Sequence, residues 1–253
     1  MSVASPWIVS RQGVERPLRL FCFAYAGGHA GVYVPWQVAL EPLVEICGVQ
    51  LPGRGARMLE SAWTEFAPTV EQIVRAIAET DDGRPFAYFG HSLGALLAFE
   101  TARLGAYLGH TAPAHLFLSG CEPAAYRPPG KALHLLSDAA LIEELREFNG
   151  TPLEVLRSSE LMALLLPPLR ADFALVHGYR YQRGPRLGVP ITVLAGCRDR
   201  HGSGVDVGLW SEETDADCEV RWFDGDHFFI NSHQHAVLDC VRDAMSGLMP
   251  VIT

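Results

Sequence analysis

The sequence predicts an α/β fold: a mostly parallel central sheet flanked by helices, with a helical insertion late in the chain. Three observations carry this. Short apolar runs alternate with segments of helical period along most of the chain. The 253 residues, 49% hydrophobic and 19% charged, suffice for one substantial core without disulfides or a metal. And a serine flanked by glycines, in "FGHSLGALLAFE", sits where an apolar run gives way to a helical one.

The elements follow in order. "RLFCFAYA" (Arg19–Ala26) and "VEICGVQL" (Val44–Leu51) read as buried strands ending in turn residues. "TVEQIVRAIAE" predicts a helix from Thr69, just past Pro68, with Val70, Ile73, Val74 and Ile77 on one face. "PFAYFG" is the next strand, and a helix starts near Leu93. Strands "AHLFLSG", "VPITVLAG" and "CEVRWFDG" follow, and a last helix runs from about Ser232 with Val237, Cys240, Val241, Ala244 and Leu248 on one stripe.

One region interrupts the alternation. No strand is evident from about Ala124 to Tyr181, and the insertion is bounded at residues 124–185. "SDAALIEELREFNG" predicts a helix capped by Ser137 or Asp138 and ended by Gly150. "SSELMALLLPPLRADFALVHGYRY" predicts two helical pieces broken at Pro167-Pro168. Its apolar stretch "LMALLLPPL" reads either as ordinary core or as the wall of an apolar pocket. With no repeat or linker in view, residues 1–253 are expected to form a single domain.

Composition excludes several function classes. A formal charge of −9 argues against nucleic acid or an anionic membrane surface as the main partner. The six cysteines have neither CxxC nor metal-ligand spacing and read as buried thiols in a reducing compartment. The segment "MSVASPWIVSRQGVERP" has no leader pattern, and no apolar run approaches the ~20 residues of a membrane span. The expectation is a soluble, cytoplasmic monomer.

The chemistry centres on Ser92. A bare G-x-S-x-G is a weak signal, but a strand-turn-helix elbow around it forces the serine into a strained conformation and exposes its hydroxyl above the sheet. Gly90 and Gly94 allow close backbone approach there. The helix N-terminus favours a developing oxyanion. A nucleophilic serine needs a base, and the base an orienting acid, at later strand ends on the same sheet edge. His227 in "WFDGDHFFI" is the expected base among ten histidines. Asp199 in "VLAGCRDRHGSG" is the expected acid, with Glu122 as rival; Asp224 and Asp226 lie too close to His227 in sequence. The oxyanion hole would take the Leu93 backbone N–H and one from the "FAYAGGHAG" loop: Tyr25, Ala26 or Gly27, with Ala26 favoured. That loop matches neither the Walker A nor the Rossmann spacing.

These pieces together resemble the type II thioesterases of polyketide and nonribosomal peptide synthetase systems, over nearly the whole chain. The resemblance rests on "FAYAGG", "LPGRGAR", "GHSLGALLAFE", "LFLSG", "NGTPLEVL", "LLPPLRADF", "ITVLAGCRD" and "GDHFFI" in that order. It implies an α/β-hydrolase fold with a helical lid. The implied activity is hydrolysis of aberrant or stalled acyl groups from the phosphopantetheine thiol of acyl and peptidyl carrier proteins, in transient encounters. Ser92, His227 and Asp199 match the nucleophile, base and acid; Ala26 and Leu93 match the oxyanion hole. No metal or bound cofactor is implied, because the substrate carries the phosphopantetheine. Arg54 and Arg57 of "LPGRGAR" either steady the site or the pantetheine arm, or make surface salt bridges. Three departures stand out: Ala24 and Arg200 where the family often has proline, and Val176, His177 or Gly178 about where it has a lid glutamate. The rival readings are a carboxylesterase, an acyltransferase or cyclase, and a hydrolase fold kept as a non-catalytic binding protein.

Overall fold

The computed structural model describes residues 5–11, 16–128, 131–201 and 204–249. The leader reading of residues 1–17 therefore falls partly outside the described residues, as do Gly202 and Ser203 of the segment holding Asp199.

Seven strands form one sheet in the order β1-β3-β2-β4-β5-β6-β7. They are β1 (Ile8–Ser10), β2 (Leu18–Phe23), β3 (Val44–Val49), β4 (Phe86–His91), β5 (His115–Ser119), β6 (Ile191–Gly196) and β7 (Cys218–Phe223). All neighbours pair in parallel except β1, which runs antiparallel to β3 with Ile8 opposite Val49. Sequence reading missed β1: three residues are too short for a periodic signal. Strands β2, β3, β4 and β6 are buried along their whole length, which explains their continuous apolar runs. Side chains alternate between two cores. Phe21 and Phe23 of β2 point to one layer, and Leu18, Leu20 and Cys22 to the other.

Helices α2 (Phe66–Glu79) and α3 (Leu93–Tyr107) cover the first face; α1 (Trp36–Leu40) and α8 (Gln234–Ser246) cover the second. Helix α2 begins three residues before the expected Thr69. Pro68 sits in its first turn, where a missing N–H removes no helical bond. The C-terminal helix is broken at His233 into α7 (Phe229–Ser232) and α8.

Between β5 and β6 lie α4 (Asp138–Phe148), α5 (Leu153–Arg157) and α6 (Ser159–Gly178). Ser137 caps α4 by accepting the Ala140 N–H. Asn149, with φ of 57°, takes the left-handed closing position instead of Gly150. Helix α6 corrects a further expectation: it runs unbroken through Pro167 and Pro168. The two prolines leave the carbonyls of Ala163 and Leu164 without helical donors. Packing compensates, because Met162, Leu166, Leu169 and Phe173 of α6 share an apolar cluster with Leu141, Leu145 and Leu156. The stretch "LMALLLPPL" is thus core on one side, while Leu161 and Leu164 face outward. Among the described residues, α6 alone has the length and hydropathy of a bilayer span. Its apolar face is used in this cluster, and it carries a buried ion pair described below.

Strand order reverses between β2 and β4: the chain leaves β2 for β3 on one side and returns to β4 on the other. Such a switch point opens a crevice at the carboxyl ends of the strands, where open α/β sheets bind ligands. The loop Ala24–Gly28 and Ser92 both emerge there.

Candidate active site

Ser92 lies between β4 and α3 with φ of 56° and ψ of −116°, a conformation that L-residues with side chains seldom adopt. The flanking backbone is packed too closely for side chains. A Cβ on Gly90 would fall 2.1 Å from the Gly94 carbonyl oxygen, and one on Gly94 would fall 2.0 Å from that of Phe23. The elbow is pinned by the Ser92 N–H, which donates to Ser119 O at 2.8 Å. The Ser92 carbonyl accepts from Ala95 and Leu96, so Leu93 presents one of the first-turn N–H groups that have no intrahelical acceptor.

His227 follows β7 and is 7% exposed. Its Nδ1 lies 2.7 Å from Asp199 Oδ2. The other carboxylate oxygen of Asp199 accepts the His201 backbone N–H at 2.9 Å. Burial alone would raise the Asp199 carboxyl; the hydrogen bond and charge of His227, helped by His201, hold it below its usual value. The loops carrying acid and base are zipped together. Cys197 N–H donates to Phe223 O and Arg198 N–H to Gly225 O. The competing carboxylates have other work: Asp226 bonds Asn149 and the Phe228 N–H, and Asp224 pairs with Arg198. The carboxylate bonded to His227 is that of Asp199, not Glu122.

Three other histidines make local structural contacts. His29 accepts the Gly31 N–H, His115 bonds Thr192, and His201 stacks on Phe148 at 3.9 Å. His91, inside the elbow, is fully buried. Its Nδ1 is 2.9 Å from Ser119 Oγ, and its ring centre is 5.1 Å from that of His227. Burial, and then the neighbouring His227, keep its imidazole well below the ordinary value of 6.5. The folded state therefore binds fewer protons than the unfolded chain once the pH drops below 6.5. The contribution of this group to stability is fully present above that pH and is lost as acidification proceeds toward the lowered folded-state value. Melting temperatures recorded from pH 7.5 to 5 are expected to decline, and to decline less steeply in His91→Asn.

The loop after β2 forms a tight turn, with the Gly28 N–H donating to Tyr25 O at 2.8 Å and Gly27 at φ of +80°. The Gly27 N–H is already committed: it donates to Asp172 Oδ2 at 2.7 Å. That removes Gly27 from the three oxyanion candidates of this loop. Asp172 also binds both terminal nitrogens of Arg54, with Nη2 to Oδ1 at 2.7 Å. Asp172 is 0% and Arg54 7% exposed, so this is a buried pair rather than a surface salt bridge. Arg57 is buried as well, bonded to Glu60 and Gln50 O and lying over the Trp7 ring. The sequence alone assigns no role to the aspartate of "LRADF". The available signal was a carboxylate in a largely apolar helix, which requires a buried partner.

Helices of the insertion close over these groups. Phe148 of α4 lies 5.7 Å from the His227 ring, and Leu169 of α6 packs directly on Gly27. A cavity of about 930 Å³ between α2, α3 and residues 178–187 includes none of Ser92, Asp199 and His227 in its lining.

Comparison with known proteins identifies the family. The family model described as "Thioesterase domain" matches residues 18–245. The chain is 36% identical over 249 residues to linear gramicidin dehydrogenase LgrE of Brevibacillus parabrevis, covering 97% of this chain and 94% of that protein. It is 34% identical over 226 residues to thioesterase PikA5 of Streptomyces venezuelae, covering 89% and 80%. Among solved structures, the type II thioesterase BorB from the borrelidin biosynthetic cluster superposes with a TM-score of 0.87 at 33% identity, covering 97% of this chain and all of that one. A strained serine elbow, a hydrogen-bonded His–Asp pair on the same sheet edge and whole-length likeness of this kind lead to one conclusion: the chain belongs to the thioesterase domain family, as an α/β-hydrolase-fold enzyme of the type II kind.

Proposed function

We propose that this enzyme edits biosynthetic assembly lines of the polyketide and nonribosomal peptide type, hydrolysing acyl groups from the phosphopantetheine thiol of carrier proteins. The observation that carries the chemistry is the 2.7 Å His227–Asp199 bond at the sheet edge where Ser92 is held in its strained elbow. In this reading His227 Nε2 takes the Ser92 proton as Oγ attacks the thioester carbonyl. The tetrahedral oxyanion is held by the backbone N–H groups of Ala26 and Leu93. The C–S bond breaks, and the pantetheine thiol leaves with the proton carried by His227. Water then attacks the Ser92 ester with the same histidine as base, and the acid departs. Asp199 keeps the proton of the imidazole on Nδ1 and stabilises the imidazolium.

The pathway assignment draws on relatives named for such systems, among them ClbQ from the colibactin NRPS/PKS pathway, 30% identical with a TM-score of 0.86. The six free thiols suit a reducing, cytoplasmic setting. A dinucleotide reading gains no support here, since the "AGGHAG" loop lacks the Rossmann spacing and its Gly27 N–H is taken by Asp172.

The test is a panel of acyl groups loaded on carrier proteins, with matched thioester and oxyester models. Free acid is the expected product, with kcat/KM at least about tenfold higher on the thioester. Conjugates to an amine or alcohol would point to an acyltransferase, and a preference for the oxyester to a carboxylesterase.

A further inference from the structure

Asp172 is a buried carboxylate on the lid-side helix α6, far in sequence from every group of the proposed triad, yet it touches the oxyanion loop directly. Its Oδ2 accepts both an Arg54 terminal N–H and the backbone N–H of Gly27. The geometry of that loop gives the contact a specific meaning. Tyr25 to Gly28 close a four-residue turn, and the positive φ of Gly27 at its third position is that of a type II turn. Types I and II differ by a flip of the central peptide, here the one joining Ala26 to Gly27. In the observed turn the N–H of that peptide faces α6 and is received by Asp172. The preceding peptide, which carries the Ala26 N–H, is oriented by the bond that closes the turn: its Tyr25 carbonyl accepts from Gly28, and a trans peptide points N–H opposite to C=O.

We infer that Asp172 is a positioning residue for the reaction: by accepting the Gly27 N–H it anchors to α6 the turn that carries the Ala26 N–H, and it makes seating of α6 a condition for a complete oxyanion hole. The inference rests on the oxyanion assignment above. Three further observations fit it. Leu169, one turn before Asp172, packs on Gly27, where a Cβ would come within 2.6 Å of its Cδ2. Ala26 packs against the apolar cluster of the insertion. Arg54 neutralises the carboxylate: one terminal nitrogen donates to Oδ1, and the other shares Oδ2 with the Gly27 N–H. Helix α6 and the loop therefore move as one body, and a lid displaced far enough to break the Gly27 bond leaves an enzyme with a single firmly placed oxyanion donor.

The ion pair and the turn contact can be separated. In Arg54→Met/Asp172→Leu, apolar side chains replace the buried pair, a change that tends to preserve stability, but no acceptor faces Gly27. The expected result is a near wild-type melting temperature with kcat lowered about 10- to 100-fold. Affinity for an acyl-pantetheine trifluoromethyl ketone, which forms an oxyanion on the serine, should fall by the same factor, while KM changes little. A second comparison covers failure of that variant to fold. Asp172→Ala and Asp172→Asn both lose the ion pair, but only asparagine keeps an oxygen for the Gly27 N–H. Melting temperatures should drop in both, with kcat at least about tenfold higher in the asparagine variant. Wild-type kcat and ketone affinity in the apolar double variant, or equal kcat in the alanine and asparagine variants, would overturn the role of Asp172. Ser92→Ala runs beside them as the control for the parent reading: activity in that protein would bring down the catalytic assignment itself, whereas a dead Ser92→Ala with an unaffected double variant would remove only this inference.

Discussion

Ser92→Ala is expected to lower kcat for thioester hydrolysis by roughly five orders of magnitude, about 7 kcal/mol of transition-state stabilisation. The fold should be untouched. The substitution removes one oxygen from a partly buried residue and keeps the Cβ that the elbow already accommodates. The Ser92 N–H bond to Ser119 and the close contacts of Gly90 and Gly94 are backbone features that alanine preserves. A circular-dichroism melt coincident with wild type, together with loss of turnover on an acylated carrier protein, is the signature to measure. Full turnover in the variant would remove Ser92 from the mechanism.

Asp199→Asn is expected to cost roughly four orders of magnitude in kcat. The reason lies in how the carboxylate is held. Its Oδ1 accepts the His201 N–H, so the single carbonyl oxygen of asparagine is drawn to that donor. The amide NH₂ then faces His227 Nδ1 and forces the imidazole proton onto Nε2, the nitrogen that must accept from serine. The protein should fold and bind substrate with the wrong tautomer in place. Glu122→Gln, at the rival carboxylate, is expected to leave kcat within about twofold of wild type. The reverse pattern in steady-state kinetics would transfer the acid role to Glu122.

Much of this arrangement was legible in the sequence, for identifiable reasons. Strands β2 to β6 showed as apolar runs because a parallel sheet with both faces covered leaves no polar alternation; β7, at one edge, alternates Glu219 and Arg221 with apolar residues, and β1, at the other edge, was too short to show. The serine elbow showed because its glycines are required by contacts of about two ångströms that no Cβ could survive. Asp199 and His227 could be ordered along the chain because strand ends on one sheet edge must converge. Other features depended on tertiary packing and left no local trace. Pro167 and Pro168 break helices by propensity, yet the cluster around Leu166 and Leu169 holds α6 continuous. Arg54 read equally as a surface charge or a site residue until Asp172, 118 positions away, was brought against it. The choice among Tyr25, Ala26 and Gly27 likewise narrowed only when the Gly27 N–H was found bonded to that same carboxylate.

The central claim is that the acyl group passes through a covalent ester on Ser92. It is tested most directly by intact-mass and peptide-level mass spectrometry of the enzyme mixed rapidly with an acylated carrier protein and quenched in acid. The account predicts a transient mass increase equal to the acyl group, located on the peptide containing Ser92, and absent in Ser92→Ala. Turnover without any adduct, or an adduct on a different residue, would contradict it.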